Sequence, residues 1–196
     1  MSALSEDLVS RIVGYKITKG DFRTSSPNLP QRIVILGEAN TANQSGLSTA
    51  ALTATTLQQI GNAYGYGSPI YHTMRILRPI SGGGVGSIPI VVLPQAAAGG
   101  SVAKVMTIEP SGTATANGTH TIYIAGRAGM DGQSYNINIE TGDDVSDITA
   151  KIETAINNVL GAPVIASEDT YEVTLTCKWT GLTSNDLTVS VDDNGN

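Results

Sequence analysis

The chain has 196 residues, of which 22 are glycine, one is cysteine and 14% are charged, with a net charge of -6. That length makes one ordinary domain or two small ones. It contains no apolar run long enough for a membrane-spanning helix. The opening MSALSEDLVSR carries Glu6 and Asp7 where a secretory signal would need an apolar core, and the lone Cys177 excludes an internal disulfide framework and any cysteine-built zinc site. Such a chain fits a reducing cytoplasm.

The charge is unevenly spread. Residues 1–99 hold seven Lys/Arg against four Asp/Glu, a net of +3, and residues 100–196 hold four against thirteen, a net of -9. An acidic half repels phosphate, so it makes a poor nucleic-acid binder, and its charges read as a solvated face.

Residues 1–30 read as an extended, basic arm ending in TSSPNLP. Within it, RIVGYKIT alternates Val13, Tyr15 and Ile17 on one side, a strand pattern. Residues 31–95 read as strand, helix, helix, strand. The strands are RIVILG and IPIVVLP, apolar on both faces as parallel strands are. Between them Ala50, Ala54, Leu57, Ile60 and Tyr64 recur at helical spacing, and Ser48 offers a cap.

The stretch AYGYGSPIYHTM, residues 63–74, reads as the joint between two helices. Gly65 and Gly67 follow the last apolar position of the first helix, where a residue of positive φ commonly ends a helix. Ser68 then caps a second helix and Pro69 takes its first position, where a missing N–H is harmless. Ile70, Met74 and Leu77 make its buried stripe, Arg75 and Arg78 suit its last turn, and Pro79 stops it. Two strands alone cannot hold a parallel sheet. The expectation is that further strands come from other copies, or from a longer chain of which this is a part.

QAAAGGSVA, residues 95–103, reads as a linker. Beyond it the grammar changes. HTIYIAG alternates Ile122 and Ile124, and SYNINIETG alternates Tyr135, Ile137 and Ile139. Val145, Ile148, Ile152, Ile156 and Val159 mark an amphipathic helix, with Asp143 and Asp144 at its start and Gly161 past its end. PVIAS, YEVTLTCKW and DLTVSV follow as strands, with Tyr171, Val173, Leu175, Cys177 and Trp179 on one inward face. The order predicts a small α+β domain with an antiparallel sheet and one covering helix.

Catalytic patterns do not assemble. Ser68 lies four residues before His72, but a serine nucleophile needs a sharp elbow and an oxyanion hole, and Ser68 sits where a cap belongs. LGEANTANQSG follows the first strand without the Gly-Lys-Ser/Thr of a phosphate loop, and Glu38 would repel the phosphate. His72 and His120 lie in different units, and Asp143, Asp144 and Asp147 do not make a calcium loop. Cys177, alternating with Leu175 and Trp179, reads as a buried apolar thiol. No catalytic residue, cofactor site or metal site is assigned.

Taken in order, RIVILGEA, LQQIGNAYGYGSPIYHTMRILRP and IPIVVLP resemble the N-terminal region of contractile phage tail sheath proteins, most closely the Mu-like group. The family's aromatic-Gly-x-Gly-Ser element and following methionine match Tyr64, Gly65, Gly67, Ser68 and Met74. SGTATANGTHTIYIAG, DITAKIETAINN and VTLTCKWTGLTSNDLTV resemble the domain inserted into those proteins. The resemblance implies an N-terminal arm (1–30), part of an incomplete α/β sheath core domain (31–98) and an inserted, peripheral α+β domain (99–196). It also implies a non-enzymatic structural subunit of a virion, assembled in the host cytoplasm into stacked rings. The implied partners are other copies of the chain, the tail tube protein, and baseplate and terminator proteins, with neither nucleic acid contacted nor membrane entered. Val13, Tyr15 and Ile17 are the expected inter-subunit strand. A surface binding module of a virion and an α/β nucleotide-binding enzyme, using Ser68 or the loop after Leu36, are the alternatives.

Overall fold

A computed structural model describes residues 31–126 and 132–193. Val13, Tyr15 and Ile17 lie outside them. The described residues form a mixed α+β structure with two separate apolar cores.

The first core is built on strands β1 (Ile33–Glu38), β2 (Leu52–Ala54) and β3 (Ile90–Gln95), with helices α1 (Leu57–Tyr64) and α2 (Pro69–Leu77) between β2 and β3. The strand order is β1-β3-β2. β1 runs parallel to β3, with Ile33 opposite Ile90 and Leu36 opposite Leu93. β2 is antiparallel to β3, with Leu52 opposite Val92. Side chains alternate across a strand, so Ile35, Ala54, Ile90 and Val92 face the helices and meet Ile60, Tyr64, Ile70 and Met74 in the core. The parallel pair agrees with the sequence reading, but burial on both faces does not hold: Val34 is 52% and Leu36 65% exposed.

The first helix starts later than the alanine spacing suggests. Ala50 precedes β2 and Ala54 ends it, so Ser48 caps no helix. Thr53, Thr55 and Thr56 are β-branched, which favours the strand. Thr56 is the actual cap, its hydroxyl accepting from the Gln59 N–H at 3.1 Å. The order is therefore strand-strand-helix-helix-strand.

The second core draws on β4 (Val105–Ile108), β5 (Gly118–Ala125), β6 (Gln133–Ile139), α3 (Val145–Asn157), β7 (Val164–Glu168), β8 (Val173–Cys177) and β9 (Thr188–Asp192). These strands form two three-stranded sheets, β4-β8-β7 and β6-β5-β9, in place of the single sheet expected. Every pairing is antiparallel. Ile122 and Ile124, Tyr135, Ile137 and Ile139, and Val173 and Leu175 point inward, and Ile148, Ile152 and Ile156 of α3 pack on them. α3 opens on a capping box in which Asp144 and Asp147 each accept the other's backbone N–H. Its end is pinned to β7 by the Asn157 amide, which donates to the Ala166 carbonyl at 2.8 Å and accepts the Ala166 N–H at 3.0 Å.

Three details depart from the sequence reading. β4, beside the glycine-rich linker, has no counterpart in it. The helix stops at Asn157, leaving Val159 41% exposed outside it. Tyr171 is 74% exposed, because β8 begins only at Val173, after a turn in which the Asp169 N–H donates to the Glu172 carbonyl at 2.8 Å.

Candidate functional site at the helix joint

The joint between α1 and α2 is where the two cores meet. Gly65 closes α1, its N–H donating to the Gly61 carbonyl at 2.9 Å, and turns the chain at φ +90°. Tyr64 is buried, and its carbonyl accepts the Asn40 N–H at 2.8 Å. The Asn40 side-chain amide donates to the Tyr66 carbonyl, also at 2.8 Å. A β-carbon at Gly65 would overlap that amide. Tyr66 folds back along α1, its hydroxyl bonded to Asn62 at 3.1 Å and its ring 5.3 Å from that of Tyr71.

Gly67 has φ +82°, and a β-carbon there would overlap the Ala162 carbonyl of the second core region. The glycine is needed twice, for its backbone angle and for the close approach. Ser68 is fully buried. Its hydroxyl accepts the Tyr71 N–H at 3.1 Å and its carbonyl accepts the His72 N–H at 3.0 Å, so it caps α2, with Pro69 in the first turn. Met74 is fully buried, and its carbonyl accepts the Arg78 N–H at 2.8 Å. The Arg78 guanidinium then reaches the carbonyls of Thr55 and Ile88, both at 3.0 Å, holding the entrances of α1 and β3.

Lys178, just after β8, completes the joint. Its ammonium donates to the Tyr66 carbonyl at 3.5 Å and the Leu160 carbonyl at 3.4 Å. Its backbone N–H donates to the Pro163 carbonyl at 3.0 Å, and its own carbonyl accepts both the N–H (2.8 Å) and the hydroxyl (3.1 Å) of Thr41. Burial pulls the ammonium below its usual 10.5. Burial likewise raises Glu38 above 4.5 and pushes the adjoining Cys177 thiol up to about 11, chemically quiet at neutral pH. Sequence patterns place Arg78 in the last turn of α2 and give Lys178 no role; the structure puts Arg78 just past α2, at its C-cap, and the partners of both side chains are backbone carbonyls outside their own elements, which no local pattern marks.

A cavity of about 330 Å³ opens beside the joint, lined by Leu36, His72, Ile76, Pro163 and Trp179 among others. Among the described residues no three His, Cys, Asp or Glu side chains are placed to share a metal ion, and no helix is long and apolar enough to cross a membrane. The arrangement ties distant backbone segments together through side-chain and main-chain hydrogen bonds, with glycines where the segments touch.

No protein-family model matches the chain. It is similar to a Mu-like prophage FluMu tail sheath protein of Haemophilus influenzae, 24% identical over 161 residues, which cover 82% of this chain and 31% of that protein. The chain thus spans about a third of the relative's length. Among solved structures it aligns with the flagellar cap protein FliD, domains D1-D2-D3, of Escherichia coli, at 26% identity, 47% coverage of this chain, 27% of that one and a TM-score of 0.34. The sequence similarity supports a relationship to tail sheath proteins.

Proposed function

We propose that this chain is part of a contractile tail sheath subunit of the Mu-like kind. In this reading it polymerises in stacked rings around a tail tube and shortens to drive the tube through a host envelope. The similarity running over 82% of the chain carries the proposal. The first core region supports it. Among the described residues β1 pairs only with β3, and Val34 and Leu36 leave an apolar face beside its outer edge. A strand edge of this kind takes up another strand through backbone hydrogen bonds. The arm pattern of Val13, Tyr15 and Ile17 supplies a segment of the right alternation for exchange between subunits. Energy for shortening comes from differences in subunit contacts, through near-rigid-body shifts, with no nucleotide or other cofactor consumed. Baseplate and terminator proteins cap the polymer, and the acidic 99–196 region decorates its outside.

The test is deletion of residues 1–20 in the full-length protein. The expected result is loss or marked weakening of polymerisation, read by electron microscopy and sedimentation, with the 101–196 region still folded by near-ultraviolet circular dichroism. Normal contractile sheaths from the deleted protein would contradict the arm exchange.

A further inference from the structure

We infer that Lys178 is the key of a latch that locks the two core regions into one body, and that the Tyr-Gly-Tyr-Gly-Ser joint is the receptor for it. This stands on the geometry of the joint and is independent of the sheath reading.

Consider what the link between the cores could have been. The covalent connection runs through Ala98, Gly99 and Gly100, a stretch with the composition of a flexible tether. Left to that tether, the second region would swing. Instead, one residue gathers three separate segments. The Lys178 carbonyl takes two hydrogen bonds from Thr41, just beyond β1. Its N–H goes to Pro163 and its ammonium to Leu160, both in the turn between α3 and β7. The same ammonium reaches the Tyr66 carbonyl in the middle of the joint.

Each partner suits a cation or a close backbone. Leu160 follows the C-terminal end of α3, where the helix dipole favours positive charge. The Tyr66 carbonyl already accepts from Asn40, and a second, charged donor uses its remaining lone pair. Gly67 lets the joint press on the Ala162 carbonyl, and Gly161 lies where a β-carbon would come 3.2 Å from the Tyr71 ring. A large side chain at either glycine would hold the surfaces apart, beyond reach of the lysine. The Ala97 N–H donates to the Gln44 side chain at 3.1 Å, fastening the start of the tether to the first region. With the latch closed the tether spans two surfaces that are already fixed, so the acidic region follows every shift of the first.

Lys178 here is a positioning residue, and its test needs a reporter that its side chain does not touch. The Thr41 amide is one: it donates to the Lys178 backbone, which substitution leaves in place. Native-state hydrogen exchange on the whole chain would compare wild type, Lys178→Met and Lys178→Arg. The account expects Thr41 exchange in Lys178→Met to rise roughly tenfold or more, while amides inside β5 and β6 keep their protection. Lys178→Arg, which can still donate to both carbonyls, should restore most of the Thr41 protection. Spin labels at Thr49→Cys and Ser146→Cys, both exposed positions, should give one narrow distance distribution in wild type and a broad one in Lys178→Met. Unchanged Thr41 exchange and an unchanged narrow distribution in Lys178→Met would overturn the inference. Equal loss of protection in β5, β6 and at Thr41 would also overturn it, since Lys178 would then be a fold residue of the second region. If Lys178→Met does not fold, Lys178→Gln is read in the same way.

Discussion

The two core regions solve the same burial problem differently. In the second, two sheets and α3 enclose one core, and the strands read as amphipathic because one face of each turns to solvent. In the first, helices cover one face of a three-stranded sheet, while β1 on the described edge shows Val34 and Leu36 to the outside. The second region covers its own apolar core, and the first leaves apolar side chains of β1 uncovered.

Truncation in the second core should have the largest effect. Leu175 is fully buried in β8 among residues of both sheets. Leu175→Ala should destabilise the second region by about 2–5 kcal/mol, read by denaturant melts followed through the Trp179 signal. If the midpoint hardly moved, the core would be looser than its burial implies.

The joint should come next. Gly67→Ala adds a side chain at φ +82° that meets the Ala162 carbonyl. It should cost about 1–3 kcal/mol from overpacking and backbone strain together. The same change at Gly46, also at positive φ but with open space around it, isolates the strain alone. Equal losses at the two positions would show that the close approach across the joint contributes nothing.

The smallest of these effects is the cap. Ser68→Ala should cost about 1–2 kcal/mol, toward the upper part of the range for a cap because the Tyr71 N–H is left without its acceptor in a buried site. Assembly should survive it. A loss of chemical activity in its place would reopen the enzyme alternative.

Much of this is legible in the sequence, and the misses have physical causes. The joint can be read because Gly, Ser and Pro carry their instructions locally: positive φ, a side-chain acceptor, a missing N–H. The period of two in Tyr135, Ile137 and Ile139, and of 3.6 in Ile148, Ile152 and Ile156, marks β6 and α3 for the same reason. Ala50 and Ala54 mislead because alanine suits a helix but does not demand one, and pairing of Leu52–Ala54 with β3 outweighs the spacing. β4 is hidden by its shortness and by the glycines before it. Exposed Val34 and Leu36 read as doubly buried because composition does not say whether a neighbouring strand is present. Lys178 is invisible to pattern reading, since its partner Tyr66 lies 112 residues away and offers only a carbonyl.

The most direct test of the central claim, that the open side of β1 is an assembly surface, is a cryo-electron microscopy map of the particle built by the full-length protein. The account predicts a helical tube in which the outer edge of β1 is hydrogen-bonded to a further strand and Val34 and Leu36 are covered. A tube in which β1 stays at a solvent-exposed edge, with those two side chains bare, would contradict it.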